Sequence, residues 1–298
     1  SAASDVYKRQ TYYLTLTGRN DWPSQLAGPN SKSKSFFYPS VGASVVLSEL
    51  MPNVNKDYLS YMKVRASFAS VGTAFERYIA NPRYEWNEST GQWSNTTQYP
   101  LYNLKPERTE SWEVGLSMRF LKDFNLDLTY YHTVTKNQTF NPELGVSGYS
   151  KLYIQTGAVR NQGVELALGY EKTWKDFTWN SNYTFSANQN KILTLADNVI
   201  NPATGESFSI STLNMGGLAS TRFLLKEGGS MGDVYSNMDL RRDDKGNIYI
   251  GENGRPVTEK IASSDDYIKL GSVLPKANMA WRNSFSWKNF NFGFMVSA

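Results

Sequence analysis

Hydrophobic and polar residues alternate strictly along residues 104–135. After a three-residue interruption at 121–123 the alternation resumes with the same period. Successive side chains of an extended backbone face opposite sides, so a period of two predicts β-strands. A connection this short makes the two strands adjacent and antiparallel. The stretch therefore predicts a β-hairpin with one apolar and one polar face. Its apolar positions are Trp112, Val114, Leu116, Met118 and Phe120, followed by Phe124, Leu126, Leu128 and Tyr130.

The same alternation recurs elsewhere, so the sequence predicts about nine strands. Short connections at 121–123, 174–176 and 288–289 alternate with longer ones, including 72–106 and 190–276. In an antiparallel sheet this order places the short turns at one edge and the long connections at the other. The further predicted strands are 12–17, 36–47, 62–71, 159–172, 177–188, 277–287 and 290–296.

The apolar face could meet the core of a soluble β-sandwich or the lipid around a membrane barrel. Several strands reach 10 or more residues, and such lengths suit a tilted membrane-spanning strand better than the usual 5–6. Trp174, Trp179 and Trp287 lie near the short turns, as membrane-interface aromatics do. The pattern favours an all-β, antiparallel transmembrane β-barrel. A soluble or surface-exposed β-rich binding domain without a membrane barrel is the alternative.

The barrel hypothesis makes a specific prediction about side-chain placement. The strands should form one curved, open sheet with a common set of apolar side chains on its convex side. In a sandwich, the same side chains would be buried between two sheets. The set is Trp112, Leu116, Leu126, Leu168, Tyr183, Trp281 and Phe292.

Composition excludes several classes of protein. The 298 residues carry 31 Lys and Arg against 27 Asp and Glu, a net charge of +4 without a basic run, which does not indicate nucleic-acid binding. No apolar run approaches the roughly 18 residues of a membrane helix. Cysteine is absent, which excludes disulfides and thiolate metal sites. The single histidine, His132, falls within a predicted strand and is interpreted as a sheet residue rather than a general base.

The acidic residues do not indicate catalysis or metal binding. The pairs at 243–244 and 265–266 lack the D-x-D-x-D-G spacing of a calcium loop. Glu107, Glu110 and Glu113 have no partner acid positioned by the sequence for glycoside hydrolysis. The sequence also lacks G-x-S-x-G and P-loop motifs. We therefore expect no catalytic residue, no cofactor and no metal site.

Five ordered stretches resemble one protein family, the SusC/RagA type of TonB-dependent outer-membrane receptors. LKPERTESWEVGL followed by DLTYYHTVTKNQ resembles the family pattern L-x-P-E-x-T-x-S-x-E-x-G and a later D-x-x-Y-Y strand. The resemblance runs from about Tyr12 to the end of the chain. The other four stretches are YPSVGASVVLSE, YMKVRASFASVG, TGAVRNQGVELALGY and LGSVLPKANMAWRNSFSWKNFNFGFMV.

The resemblance implies a function. Proteins of this family form 22-stranded barrels in the bacterial outer membrane, surrounded by its lipid, with an N-terminal plug domain inside. They pair with a SusD-like surface lipoprotein and import oligosaccharides or peptides, driven by the TonB complex. This chain departs from the pattern, since it shows no plug, no TonB-contacting segment and no terminal aromatic. We expect residues 11–298 to be a partial barrel without the plug and final strands, and residues 1–10 to be a fragment end or an artefact.

Aromatic residues in the 72–106 connection are the candidate ligand-binding residues. They stand among Asn, Thr, Ser and Gly, a composition that suits sugars, because rings stack on C–H faces while amides bind hydroxyls. The alternative is that they pack the loop or contact the partner lipoprotein. The candidates are Tyr84, Trp86, Trp93, Tyr99 and Tyr102.

Overall fold

The computed structural model describes most of the chain as β-strands and three short 3-10 helices. The described residues are 2–8, 11–27, 35–74, 79, 84–94, 105–140, 153–200 and 205–298. Within these ranges, no helix has the length and hydrophobicity needed to cross a membrane.

Twenty strands are present in the described residues. The first ten are β1 (Ala2–Lys8), β2 (Tyr12–Asp21), β3 (Phe36–Val46), β4 (Leu59–Thr73), β5 (Glu85–Asn87), β6 (Gln92–Ser94), β7 (Glu107–Phe120), β8 (Phe124–Phe140), β9 (Ile154–Trp174) and β10 (Phe177–Thr194). The last ten are β11 (Ala196–Ile200), β12 (Ser207–Ile210), β13 (Thr212–Asn214), β14 (Thr221–Lys226), β15 (Asp233–Ser236), β16 (Met238–Leu240), β17 (Thr258–Lys260), β18 (Ile268–Ser272), β19 (Asn278–Trp287) and β20 (Phe290–Ser297). The 3-10 helices are Ser24–Leu26, Leu47–Glu49 and Ser264–Asp266.

Ten of these strands form one open, curved antiparallel sheet, in the order β1-β2-β3-β4-β7-β8-β9-β10-β19-β20. The fold class expected from the alternation is therefore confirmed. Nine of the ten strands correspond to predicted strands, and β1 is the addition, pairing with β2 from Ala2 opposite Gly18 to Lys8 opposite Tyr12. Its sequence lacks the alternation that revealed the others.

The pairing register gives this sheet two chemically different sides. Leu116 lies opposite Val64 and Leu128, and the row continues through Leu166 and Phe185. We call this side the apolar face and the opposite side the polar face. All seven side chains predicted to share one face lie on the apolar face: Trp112, Leu116, Leu126, Leu168, Tyr183, Trp281 and Phe292.

The apolar face remains partly exposed. Leu128, Trp281 and Phe292 retain 36%, 45% and 64% of their accessible surface, so no second sheet covers them in the described structure. The described buried apolar clusters lie instead near the long connections, one around Ile192 and the other around Leu26. The β-sandwich alternative, which requires a core between two sheets, does not describe this architecture.

The short turns lie together along one edge, which we call the short-turn rim, as predicted. Leu121 N donates to Tyr58 O (3.0 Å), Glu171 N to Asp123 O (2.9 Å) and Lys288 N to Asp176 O (3.1 Å). The long connections leave the opposite edge, which we call the long-loop rim. Next to the short-turn rim, aromatic rings pair across the apolar face. The ring pairs are Phe120–Phe124, Phe124–Tyr170, Tyr170–Trp179, Trp179–Phe285 and Phe285–Phe292.

Candidate functional site

The polar face carries an ion pair held within a hydrogen-bond network. Arg65 Nη2 donates to Asp127 Oδ1 (3.0 Å) and to Thr129 Oγ1, while Arg65 Nη1 donates to Ser117 Oγ (3.1 Å). Ser117 Oγ in turn donates to Asp127 Oδ2 (2.6 Å). The four residues come from three neighbouring strands, β4, β7 and β8. Their hydrogen bonds hold the two charged groups in place across these strands.

Glycine provides the room for this arrangement. Gly115 stands directly opposite Arg65 in the pairing of β4 with β7. A Cβ at this position would lie 2.4 Å from Arg65 Cζ. The guanidinium therefore occupies the space that a side chain would fill, and from there it reaches Asp127 on β8.

An open cavity of about 810 Å³ lies beside this network. Its volume is in the range of small-molecule binding pockets. Glu165 supplies a carboxylate there for which the structure gives no hydrogen-bond partner among the described residues. The polar lining can therefore contact uncharged polar ligands through hydroxyls and amides, and cationic groups through Glu165. The main lining side chains are Arg65, Asp127, Thr129, Glu165, Thr184 and Asn278.

A chain of amide side chains links the polar face with the long-loop rim. Tyr131 Oη donates to Asn188 Oδ1 (3.1 Å), and Asn188 Nδ2 donates to Asn161 Oδ1 (3.2 Å). Asn190 Nδ2 donates to the same oxygen (2.9 Å), and its own Oδ1 accepts from Met231 N (2.7 Å). The connection between β10 and β19 is thereby tied to the sheet through polar groups.

Substitution of Gly163 by alanine should disrupt this chain and destabilise the protein by about 1–3 kcal/mol, the usual cost of overpacking. The new Cβ would lie 2.3 Å from Ala187 O and 2.5 Å from Tyr131 Oη. Gly42→Ala is the matched control, because a Cβ there meets its nearest atom at 3.9 Å. Denaturant unfolding of both variants measures the difference. Equal stability of the two would contradict the tight packing at Gly163.

The connection between β10 and β19 forms a small folded unit, which the alternation did not predict. Its four-stranded sheet, β13-β14-β15-β18, contributes Leu213 and Leu225 to a buried cluster with Ile192 of β10. Asp233 is 1% exposed, and its Oδ2 accepts from Lys269 Nζ (2.6 Å). The signal that could have revealed it is the apolar run in TRFLLK at 221–226.

Three of the predicted ligand-binding aromatics lie on or next to the β5–β6 hairpin, and Tyr99 and Tyr102 lie outside the described residues. Trp86 is paired with Trp93 across the hairpin, with ring centroids 5.4 Å apart in an edge-to-face arrangement. Tyr84, Trp86 and Trp93 are 59%, 50% and 64% exposed. The hairpin thus presents adjacent rings to solvent, a surface able to stack on apolar ligand faces.

The acidic pair at 243–244 belongs to a turn. Asp243 Oδ1 accepts from Lys245 N (2.9 Å) and Asn247 N (2.8 Å), and Oδ2 accepts from Asn247 Nδ2 (2.9 Å). The Asn247 side chain is the main reason that the pKa of Asp243 is lowered from its usual value. Within the described ranges, no three His, Cys, Asp or Glu side chains are grouped so that they could hold a metal ion.

Comparison with known proteins agrees with this geometry. A family model described as "TonB dependent receptor-like, beta-barrel" matches residues 3–290. The chain is 28% identical over 312 residues to TonB-dependent receptor P26 of Formosa agariphila, and 23% identical over 313 residues to TonB-dependent receptor SusC of Bacteroides thetaiotaomicron. Each match covers 96% of this chain but only 30% and 29% of the relative. The chain therefore spans about a third of the curated relatives it matches.

Among solved structures, the RagAB peptide importer in its "open-open" state superposes with a TM-score of 0.73 at 19% sequence identity. The match covers 98% of this chain and 31% of that chain, and it shows a common fold. The matched proteins are receptors and transporters rather than enzymes.

Proposed function

The chain belongs to the TonB dependent receptor-like β-barrel family, and we propose that it forms part of an outer-membrane barrel that imports a nutrient. In this proposal residues 11–298 are a partial barrel of a longer receptor. The plug domain, the remaining strands and the segment that contacts the TonB complex would lie outside this chain.

The observation that carries the proposal is the two-sided sheet. Its apolar face is continuous over neighbouring strands and partly exposed, which suits contact with lipid, whereas its polar face suits a wet lumen. A soluble binding domain would have to cover the same side chains with a second layer, and none is present in the described ranges. The membrane proposal therefore explains the exposed leucines and aromatics.

For the transported nutrient we propose an oligosaccharide or a peptide, taken up together with a SusD-like lipoprotein. The likeness to SusC and to the RagAB peptide importer supports this class of substrate and partner. The paired rings of Trp86 and Trp93, and the amide-rich polar face, offer stacking surfaces and hydrogen bonds to such ligands. In this proposal the aromatics at 84–102 contact either the nutrient or the lipoprotein.

The first test is growth of a strain that lacks the gene, supplied with defined oligosaccharides or peptides as the only nutrient source. Restoring the full-length gene should restore growth on one of these classes. If the restored gene brought back neither growth nor uptake on any of the nutrients tested, the import function would be overturned.

Replacing Trp86 and Trp93 together by alanine should weaken capture of the nutrient or of the lipoprotein by about tenfold or more, since stacked aromatics contribute strongly to such contacts. Trp22→Ala is the matched control, because Trp22 is also highly exposed and follows β2 at the long-loop rim. Binding of labelled nutrient to cells and co-purification of the lipoprotein distinguish the two roles. Unchanged binding in both assays would exclude these rings from the site.

Sidedness gives a separate prediction. Cysteine introduced at Asn253, in the connection from the long-loop rim, should react in whole cells with a membrane-impermeant reagent. Cysteine at Asp123, on the short-turn rim, should react only after the outer membrane is opened, because family barrels have long loops outside and short turns inside. The reverse labelling pattern would refute the orientation.

A further inference from the structure

Two cations lie directly opposite each other on the apolar face, beyond its hydrophobic rows. Arg160 of β9 pairs with Lys191 of β10, and the same register places Leu166 opposite Phe185 further along. Since the residues on one face of a strand are two apart, Arg160 and Lys191 share the side of those apolar residues. Like charges in directly opposed positions destabilise a sheet.

Neither cation has a protein partner among the described residues. The structure gives no ion pair or hydrogen bond from the side chain of Arg160 or Lys191 in this part of the chain. Arg160 Nε is moreover buried without an acceptor. An unsatisfied buried donor, and above all a charged one, costs free energy. Within the described part of the chain, the pair therefore lacks an anion that would balance its charge.

The surroundings of the pair mark the border of the apolar face. One row closer to the middle of the sheet, the rings of Trp112 and His132 stack with their centroids 5.4 Å apart. In the same row, Gln162 Nε2 donates a hydrogen bond to Gln189 Oε1 (2.8 Å). Beyond these rows, on the long-loop side, the side chains are mainly cationic. Two more cations, Arg108 and Lys136, lie on β7 and β8 there. Glu110 is bound by Lys136 (2.8 Å) and lies 3.9 Å from Arg108 Nε, which also donates to Ser70 Oγ (2.7 Å). Four cations against one carboxylate leave three positive charges.

We propose that Arg160 and Lys191, flanked by Arg108 and Lys136, bind the phosphate groups of an anionic lipid in the outer leaflet. The proposal rests on the membrane placement in the proposed function. Phosphate would supply acceptors to the guanidinium and ammonium groups and remove the repulsion between them. Acyl chains would extend from this row along Val164, Tyr130 and the leucines of the apolar face. This continuity favours a lipid over a soluble anion.

The test uses the full-length receptor purified in detergent, with bis-phosphorylated lipid A as the probe and native mass spectrometry as the readout. The variant Arg160→Gln/Lys191→Gln should bind the probe about tenfold or more weakly than the wild type, since two charge-assisted hydrogen bonds are lost. Lys175→Gln/Lys288→Gln removes the same charge from the short-turn rim and should bind like the wild type. The charge-preserving variant Arg160→Lys should retain most of the binding, which separates lost charge from misfolding.

Two further arms separate a lipid from a free anion. Lipid A stripped of its phosphates should bind the wild type and the double variant equally weakly. Inorganic phosphate at millimolar concentration should fail to displace the intact lipid. Equal binding of intact lipid A by the wild type and the double variant would overturn the inference, as would displacement by inorganic phosphate.

Nutrient uptake measured with the same proteins keeps this inference separate from the proposed function. A receptor that binds lipid A through these cations but imports no nutrient supports the site and contradicts only the import function. If the receptor imports its nutrient but the two double variants bind lipid A equally well, only the proposed lipid site is contradicted.

Discussion

Leu166→Arg should lower the free energy of unfolding of the full-length receptor in the proposed membrane setting by about 2–4 kcal/mol, the cost of a lipid-facing arginine at the middle of a bilayer. Leu166 lies opposite Leu128 and Phe185, midway between the Trp112–His132 row and the aromatic rings near the short-turn rim. In this position a charged side chain has neither water nor a carboxylate within easy reach.

The neighbouring residue provides the control. Ala167 points to the polar face, where it is exposed and lies opposite Asp127 and Thr184. Ala167→Arg should therefore change the free energy of unfolding by less than about 1 kcal/mol, because the guanidinium stays in water. Urea unfolding in lipid vesicles compares the two. If the alanine substitution proved as costly as the leucine substitution, the faces would be assigned wrongly.

The second large effect is expected when the chain is isolated without detergent. In that state it should aggregate and show no cooperative unfolding transition. Leucines and aromatics of the apolar face would be exposed over many strands, and contiguous exposed apolar surface promotes association. The edge strands β1 and β20 would each present unpaired backbone groups that invite pairing with other chains.

Size-exclusion chromatography with light scattering and thermal circular dichroism check this expectation. Detergent above its micelle concentration is the matched condition, and it should reduce the aggregated fraction by covering the apolar face. A soluble monomer with a cooperative transition in plain buffer would show that the apolar face is already covered. That result would favour a soluble β-rich domain.

The strands were predictable because a single physical rule determines them. Residues 112–120 and 124–130 alternate so regularly that burial on one face and hydration on the other follow directly. The short turns then determine which strands are neighbours, and the predicted rim assignment follows from antiparallel order. β1 lacks alternation, and β13 to β18 are only three to six residues long, so a window of periodicity does not detect them.

The polar site was far less accessible from the sequence. Arg65 and Asp127 are 62 residues apart, and only the register of β4, β7 and β8 brings them together. Likewise, nothing in the neighbourhood of Arg160 indicates that Lys191 stands opposite. Aromatic composition did identify Trp86 and Trp93 as candidates within a long connection, and the structure pairs them across a hairpin, although their role as ligand contacts stays a prediction.

Glycines opposite long polar side chains also bear on how the strands find their partners during assembly. Gly115 faces Arg65, Gly163 faces Tyr131 and Gly169 faces Asn125, and in each case an added Cβ would lie within 2.6 Å of the facing side chain. A shift of two residues keeps every side chain on its own face but places each long group against a residue that has a Cβ. Alternation alone cannot reject such a shift. The close contacts at these glycines do reject it, so the glycines select one register among those that keep every apolar side chain on the same face.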